Sequence, residues 1–300
     1  MSAGEFWKPS TGQRGMVLVI VLWIVTLLAV MAGSFAYSMR VETRLAASAV
    51  ERAQARTLAE AGVAYALAWQ LDADAQKQWS PNGDPRDWTF GGGRLWIEVT
   101  DASGLVDLNN AGLELLKALL AGAGVDARDQ DRLAEAIQDW RDHDDRSLPH
   151  GAESADYRAA GRSGPNNAPF ESVEELGQVL GMTRELHERL ARAATVFGRN
   201  ALVNPELAPA RVLQALGLDE QTVADYVDAR AQAAAAQAAP PPLPSVGGSF
   251  FSSSGRSSVY HVAVVAETET GTSVRVEAVI DLRKAQAGQA ARWLAWREGR

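Results

Sequence analysis

The chain has 300 residues, 47% of them hydrophobic, with a formal charge of −8 and no cysteine. That length fills one large domain or two ordinary ones with real cores. The acidic balance argues against a general nucleic-acid binder, and the absence of cysteine excludes disulfides, a thiol nucleophile and a thiolate zinc site.

Residues 16–36 read MVLVIVLWIVTLLAVMAGSFA, an uncharged stretch. At 1.5 Å per residue it spans a hydrocarbon core of roughly 30 Å. The short polar segment before it carries Lys8 and Arg14, whereas Arg40 and Arg44 behind it are offset by Glu42. The more positive flank predicts a cytoplasmic N-terminus and an exported remainder. A secretory signal places its cleavage site after the apolar region. Here the candidate site, Arg14-Gly15-Met16, lies before it, and cutting there would leave the apolar helix as the mature N-terminus. A plain single-span anchor with a chance glycine is the alternative. The arrangement resembles the leader of type IV prepilins and pseudopilins. That resemblance implies cleavage by a prepilin peptidase after Gly15 and methylation of the amine of Met16. The glutamate usual at the fifth mature position of that family is Ile20 here.

No proline falls between Pro9 and Pro81, and the stretch from Arg40 to Asp74 is rich in helix formers. Leu58, Gly62, Tyr65 and Trp69 make one apolar stripe. The expectation is one helix from Met16 to about Leu71, on the order of 80 Å long. A turn-rich loop, SPNGDPRDWTFGGG, follows. Arg94–Thr100 then alternates as a strand, with matching strands far off at Ser258–Glu267 and Thr272–Leu282 around a turn at Thr268–Gly271. These predict an antiparallel sheet against the helix, an α+β arrangement.

Between the strands, about 105–233, the sequence is helical and carries a weak repeat. VDLNNAG leads into ELLKAL, LVNPE into RVLQALG, and FESVEEL into VLG; in each, an Asn, Asp or Ser is placed to cap a helix that a glycine ends. The phrase VDLNNAGLELLKAL resembles helix-hairpin-helix modules, which makes a membrane-anchored DNA-uptake protein the second reading. The acidic character of the insertion and a hairpin without Lys or Arg weigh against it.

The sharpest chemical feature is DWRDHDD. Asp139, Asp142, Asp144, Asp145, Glu153 and Asp156 put six carboxylates within eighteen residues. Their mutual repulsion suits a hard divalent cation, and calcium above all, since it accepts six to eight oxygens in flexible loops. The spacing is not an EF-hand. A solvated acidic loop is the plain alternative, and zinc through His143 and His150 is disfavoured without cysteine. Residues 234–257, with an Ala/Gln run, a proline cluster and a Gly/Ser stretch, read as a mobile loop around Phe250 and Phe251. The tail from Ala290 reads as a short helix. No nucleophile elbow or phosphate loop is present, so no enzyme is expected.

Taken in order, RGM, VLWIVTLLA, RTLAEAGVAYAL, VDLNNAG, DWRDHDD and NAPFESVEELGQVLGM resemble the protein K family of the type II secretion system, from about Arg14 to Leu216. The resemblance implies a minor pseudopilin at the pseudopilus tip, with a pilin-like domain interrupted by an all-α insertion and with bound calcium. It implies as partners the minor pseudopilins I and J, the major pseudopilin, the prepilin peptidase and the inner-membrane assembly platform, with no nucleic acid. The implied organisation is a leader over 1–15, a transmembrane part over 16–36, and the rest of the stalk and first strand over 37–104. The insertion then covers 105–233, the loop 234–257 and the closing strands 258–300. Ile20 fits a tip subunit, which has no preceding amine for a glutamate to neutralise, because an unpaired carboxylate in lipid is expensive.

Overall fold

The computed structural model describes residues 12–243, 250–253, 255–286 and 288–299. Most of the expected leader and part of the 234–257 loop lie outside these residues. The chain divides into two compact units, 1–54 and 55–300.

The first unit is the N-terminal part of helix α1, Gly12–Leu71. Every side chain from Met16 to Val50 is exposed. The helix contains an apolar stretch long enough to cross a membrane. An exposed surface as apolar as that of residues 16–36 suits hydrocarbon better than water, which points to a single membrane anchor in this stretch.

In the second unit, Ala55, Leu58, Ala59, Val63 and Ala66 form the buried stripe of α1. They recur at three- and four-residue spacing, so one helical face meets the sheet. Gly62 sits at the closest approach: a Cβ there would lie 2.8 Å from Val264 and 2.9 Å from Leu95. After α1 come α2 (Ala73–Gln78), β1 (Arg86–Phe90) and β2 (Gly93–Asp101). The insertion contributes β3 (Val106–Asp107), α3 (Leu113–Gly122), α4 (Ala127–Arg141), α5 (Ser154–Ala159), α6 (Arg184–Ala191), β4 (Ala194–Thr195), α7 (Ala210–Ala215) and α8 (Glu220–Ala235). β5 (Val259–Thr268), β6 (Ser273–Asp281), α9 (Arg283–Gln286) and β7 (Arg292–Gly299) close the chain.

The sheet is antiparallel in the order β1-β2-β5-β6-β7. Ile97, Val264 and Val276 stand side by side across its three central strands. Period-two alternation turns these residues towards α1 and leaves polar groups on the other face. The helix-on-sheet α+β plan is as expected, but the sheet has two strands more. The loop expected at 80–93 contains β1, and the tail is a strand rather than a helix. Trp293 and Trp296 are good strand residues, and cross-strand pairing with Ile280 and Ala278 decides their conformation.

The insertion has its own core, centred on Leu116, Leu120, Ile137, Tyr157, Leu176 and Leu213. Two of the three repeats are helix pairs, α3–α4 and α7–α8, which turn through Gly124 and Gly217 at φ +85° and +92°. The third begins with a 3-10 turn, Val173–Gln178, and passes Gly181 at φ +87° into α6. The expected caps hold in part. Ser172 forms a capping box with Glu175 at the start of the Val173–Gln178 turn. In contrast, α3 starts at Gly112 and α7 at Pro209 without a side-chain cap. The asparagines ahead of them tie distant loops together instead. Asn109 donates to Phe170 O at 3.0 Å and to Val196 O at 3.2 Å, and accepts from Phe170 N at 2.7 Å. This joins VDLNNAG to NAPF. Asn204 donates to Gly255 O at 3.1 Å.

Phe250 and Phe251 pack against the insertion core, and Val203 N donates to Phe250 O at 2.9 Å. The start of the re-entering chain is therefore anchored, which corrects the expectation of loose packing there. At the strand junction, buried Asp101 accepts from Ser103 N at 2.8 Å and Ser257 N at 3.0 Å. Insertion and sheet also meet where His261 Nε2 lies 2.9 Å from Thr195 Oγ1. His261 borders a groove of about 840 Å³ that is also lined by Arg211, Arg275, Arg297, Glu98 and Glu277. Burial first, then Arg211 and Arg297, push its pKa down to about 4. A depressed histidine binds fewer protons folded than unfolded, so its contribution to stability is lost as pH falls from about 6.5 towards 4. His261→Gln should flatten the acid side of the stability curve by up to about 1.4 kcal/mol per pH unit. Urea melts at pH 5 and 7 measure this, and parallel curves for the two proteins would refute it.

Candidate metal centre

The acidic motif spans the end of α4, a loop and the start of α5. Arg141, in the last turn of α4, donates to Leu108 O and to Ala111 O, the latter at 2.7 Å, and so fixes the helix end against the VDLNNAG turn. Trp140 packs beside Tyr157 and Phe170, with ring centroids 5.8 and 6.2 Å away. Both Trp140 and Tyr157 are core residues.

The six predicted carboxylates separate by role. Asp142, Asp144 and Glu153 bring an oxygen each to within 4.8 Å of one another. Asp139, fully buried, accepts from Leu148 N at 3.2 Å, and a side chain on Gly151 would strike its carboxylate. Asp145 accepts from Ser154 N at 3.3 Å, and hydrogen bonds from the Ser154 hydroxyl first and its N–H second hold its pKa low. Asp156 accepts from Glu153 N at 3.0 Å at the start of α5. Thus three carboxylates converge and three others only shape the loop through backbone N–H groups, although Asp144 also accepts from Arg146 N at 2.9 Å.

Glu153 is the unusual member. It is 2% exposed, and neither carboxylate oxygen has a hydrogen-bond partner among the described residues. Burial, followed by the charges of Asp139, Asp142 and Asp145, drives its pKa up to about 7. Burial likewise raises Asp139 to about 6, helped by Asp142 and Glu135. A buried carboxylate without donors costs several kcal/mol unless a cation meets it. The donor set is all oxygen and carries three formal negative charges, which fits calcium better than zinc.

Two neighbours lay beyond the sequence reading. Glu135, one turn before Asp139 and almost buried, accepts from His150 N at 2.6 Å. Asn167 donates to Asp144 O at 2.8 Å, and its own Oδ1 is buried without a partner. Its φ of +46° is a conformation that asparagine tolerates better than most residues. The run Gly164-Pro165-Asn166-Asn167 was the available signal, since such clusters mark special backbone turns. His143 Nδ1 lies 3.0 Å from Asn167 O, so that ring serves the loop rather than a zinc site.

Residues 98–199, which hold this whole centre, match the family described as type II secretion system (T2SS), protein K. The match covers about a third of the chain, and over that stretch the chain is similar to protein K. A protein K of Klebsiella pneumoniae is 28% identical over 200 residues, covering 59% of this chain and 61% of the relative. A putative protein K of Escherichia coli K12 shows the same identity and coverage. A Dickeya chrysanthemi protein K is 32% identical over 77 residues, 26% of this chain and 21% of its own length. The matched stretch therefore spans less than two thirds of the first two relatives. In fold, the chain is similar to a chain of the crystal structure of the GspK-GspI-GspJ complex from the type 2 secretion system of enterotoxigenic E. coli. The TM-score is 0.53 at 16% identity, covering 83% of this chain and 99% of that one. At that identity the likeness shows a shared fold.

Proposed function

We propose that this chain is a minor pseudopilin at the tip of a type II secretion pseudopilus, where it starts or caps assembly for export of folded proteins. The observation that carries the reading is the combination in one chain of an apolar N-terminal helix, a pilin-like sheet and the protein K insertion with its acidic centre. Cleavage after Gly15 and methylation of Met16 would leave the anchor in the inner membrane and the second unit in the periplasm. The role is structural rather than enzymatic. Partners by this reading are homologues of I and J, as in the GspK-GspI-GspJ complex, together with the major pseudopilin, the peptidase and the assembly platform.

Asp142, Asp144 and Glu153 would hold calcium, with Asn167 offering an amide oxygen beside them. Bound calcium would supply charge neutralisation and tie the 142–153 loop to the end of α4, a staple in a chain without cysteine. The DNA-uptake reading gains no support. The end of α3 and the turn into α4, residues 120–126, hold no basic residue, and the nearby Arg189 spends Nη1 on Ala123 O at 2.9 Å.

The test is the mass of the mature N-terminus from membranes together with copurification of I and J homologues. A methylated Met16 start and a stoichiometric complex are expected. An intact Met1, a cut behind Ala36, or salt-dependent DNA retention without such a complex would overturn the reading.

A further inference from the structure

The sheet ends in two edges of different character. β1 is five residues long, and Trp88 on it stacks on Tyr65 at 4.2 Å and on the exposed Phe90 at 4.6 Å. β7 is eight residues long and outermost on the other side. Among the described residues, no backbone group of Arg292–Gly299 bonds to anything beyond β6. Trp293 and Trp296 form an edge-to-face pair at 5.4 Å and remain 51% and 37% exposed. A long edge with exposed aromatic side chains is a template for a further strand, and natural proteins rarely leave one uncovered.

The register assigns the two faces of this edge. Trp293 and Trp296 stand opposite Ile280 and Ala278, on the side that faces α1. Arg292 and Arg297 stand opposite Asp281 and Glu277, on the other side. Arg297 also pairs with Glu174 of the insertion, and Glu298 pairs with Arg56 at 2.9 Å, so the strand is clamped from both faces. Arg292 has no ion pair among the described residues. The chain as a whole carries −8, yet its described stretch from α9 to β7 holds Arg283, Lys284, Arg292 and Arg297 against the single acid Glu298.

We propose that β7 is a docking edge for an extended segment of a partner protein that alternates acidic and apolar residues and adds to the sheet as a sixth strand. Main-chain hydrogen bonds along the open edge would supply the affinity, and side-chain alternation the specificity. Apolar residues would cover Trp293 and Trp296, while an acid would meet Arg292, since directly opposed pairs are the unit of sheet stabilisation. The proposal stands on the edge itself and is independent of the secretion reading.

The test uses the full chain in detergent micelles and three labelled eight-residue peptides. One alternates glutamate and valine, one alternates lysine and valine, and the third is the glutamate peptide N-methylated at alternate residues. The first should bind at least tenfold tighter than either other peptide and slow amide exchange across 292–299 at least tenfold. Arg292→Glu, and separately Trp293→Ala with Trp296→Ala, should each weaken it at least fivefold with the far-ultraviolet spectrum unchanged. Equal binding of the N-methylated peptide, absence of binding, or protection elsewhere than 292–299 would overturn the proposal. So would the same protection given by anionic vesicles alone, which would assign the edge to lipid, or by self-association without peptide, which would assign it to a second copy.

Discussion

Saturating calcium should raise the unfolding midpoint of the chelator-treated chain by on the order of 5–10 °C. A cation held at a hundred times its dissociation constant stabilises by about 2.7 kcal/mol, and about 1 kcal/mol moves the midpoint of a domain this size by about 2–4 °C. The sharper expectation concerns Glu153→Gln, which should act in opposite directions with and without the ion. At pH 8, above the raised Glu153 pKa of about 7, the wild-type residue is a buried charge repelled by Asp139, Asp142 and Asp145. Removing that charge should stabilise the metal-free protein by about 1 kcal/mol or more, because an uncompensated buried charge is costly. The same substitution deletes the most buried of the three converging carboxylates, so the gain with calcium should vanish. Thermal melts with chelator and with calcium decide both parts. A variant that keeps the calcium gain, or that melts lower than wild type in chelator, would show that Glu153 is not part of a cation site.

The second large effect should come from Gly104→Val. Gly104 lies in the short 3-10 turn Ala102–Gly104, where the chain leaves β2 for the insertion. A Cβ there would run into the backbone of Leu207 and Ala208, and Ser103 O already accepts from Asn204 N at 2.7 Å. Backbone cannot rotate away as a side chain can, so the clash must separate the two segments or distort both. The expected loss is about 4 kcal/mol, among the largest a single substitution produces. Gly112→Ala is the matched control, because nothing lies within 4 Å of a Cβ there. It should change stability by less than about 1 kcal/mol. A Gly104→Val protein within about 1 kcal/mol of wild type in urea melts would mean that the crossing is looser than described.

Legibility in the sequence followed the strength of local signals. The anchor was readable because a long uncharged run has few other physical explanations. β2, β5 and β6 were readable to within a residue or two, because one face of each is buried and the alternation is clean. β1 and β7 were not. Arg86-Asp87-Trp88-Thr89-Phe90 sits among turn residues, and Arg292–Gly299 mixes alanine and arginine with its tryptophans, so partner strands rather than propensity settle both. The acidic loop was visible as a concentration of charge. Which carboxylates converge was not visible, since Asp142 and Asp144 accept backbone N–H groups just as Asp139, Asp145 and Asp156 do, and only the path of the loop brings two of them to Glu153. Asn167 was missed for a related reason: its place beside Asp144 depends on a fold-back of twenty-three residues.

The clamp at Asp101 bears on how the protein reaches this structure. Asp101 is the cross-strand partner of Tyr260, and its carboxylate holds Ser257, 156 positions along the chain. β2 and β5 therefore form the two sides of a hairpin whose connection is a whole folded body. Closing so long a connection as open chain is entropically unfavourable and slow. If the insertion condenses first around Leu116, Ile137 and Leu213, its two ends are delivered side by side and the central pairing becomes a local event. The refolding rate of the sheet is then set by the insertion. Any condition that delays that core leaves β2 and β5 waiting with their edges open.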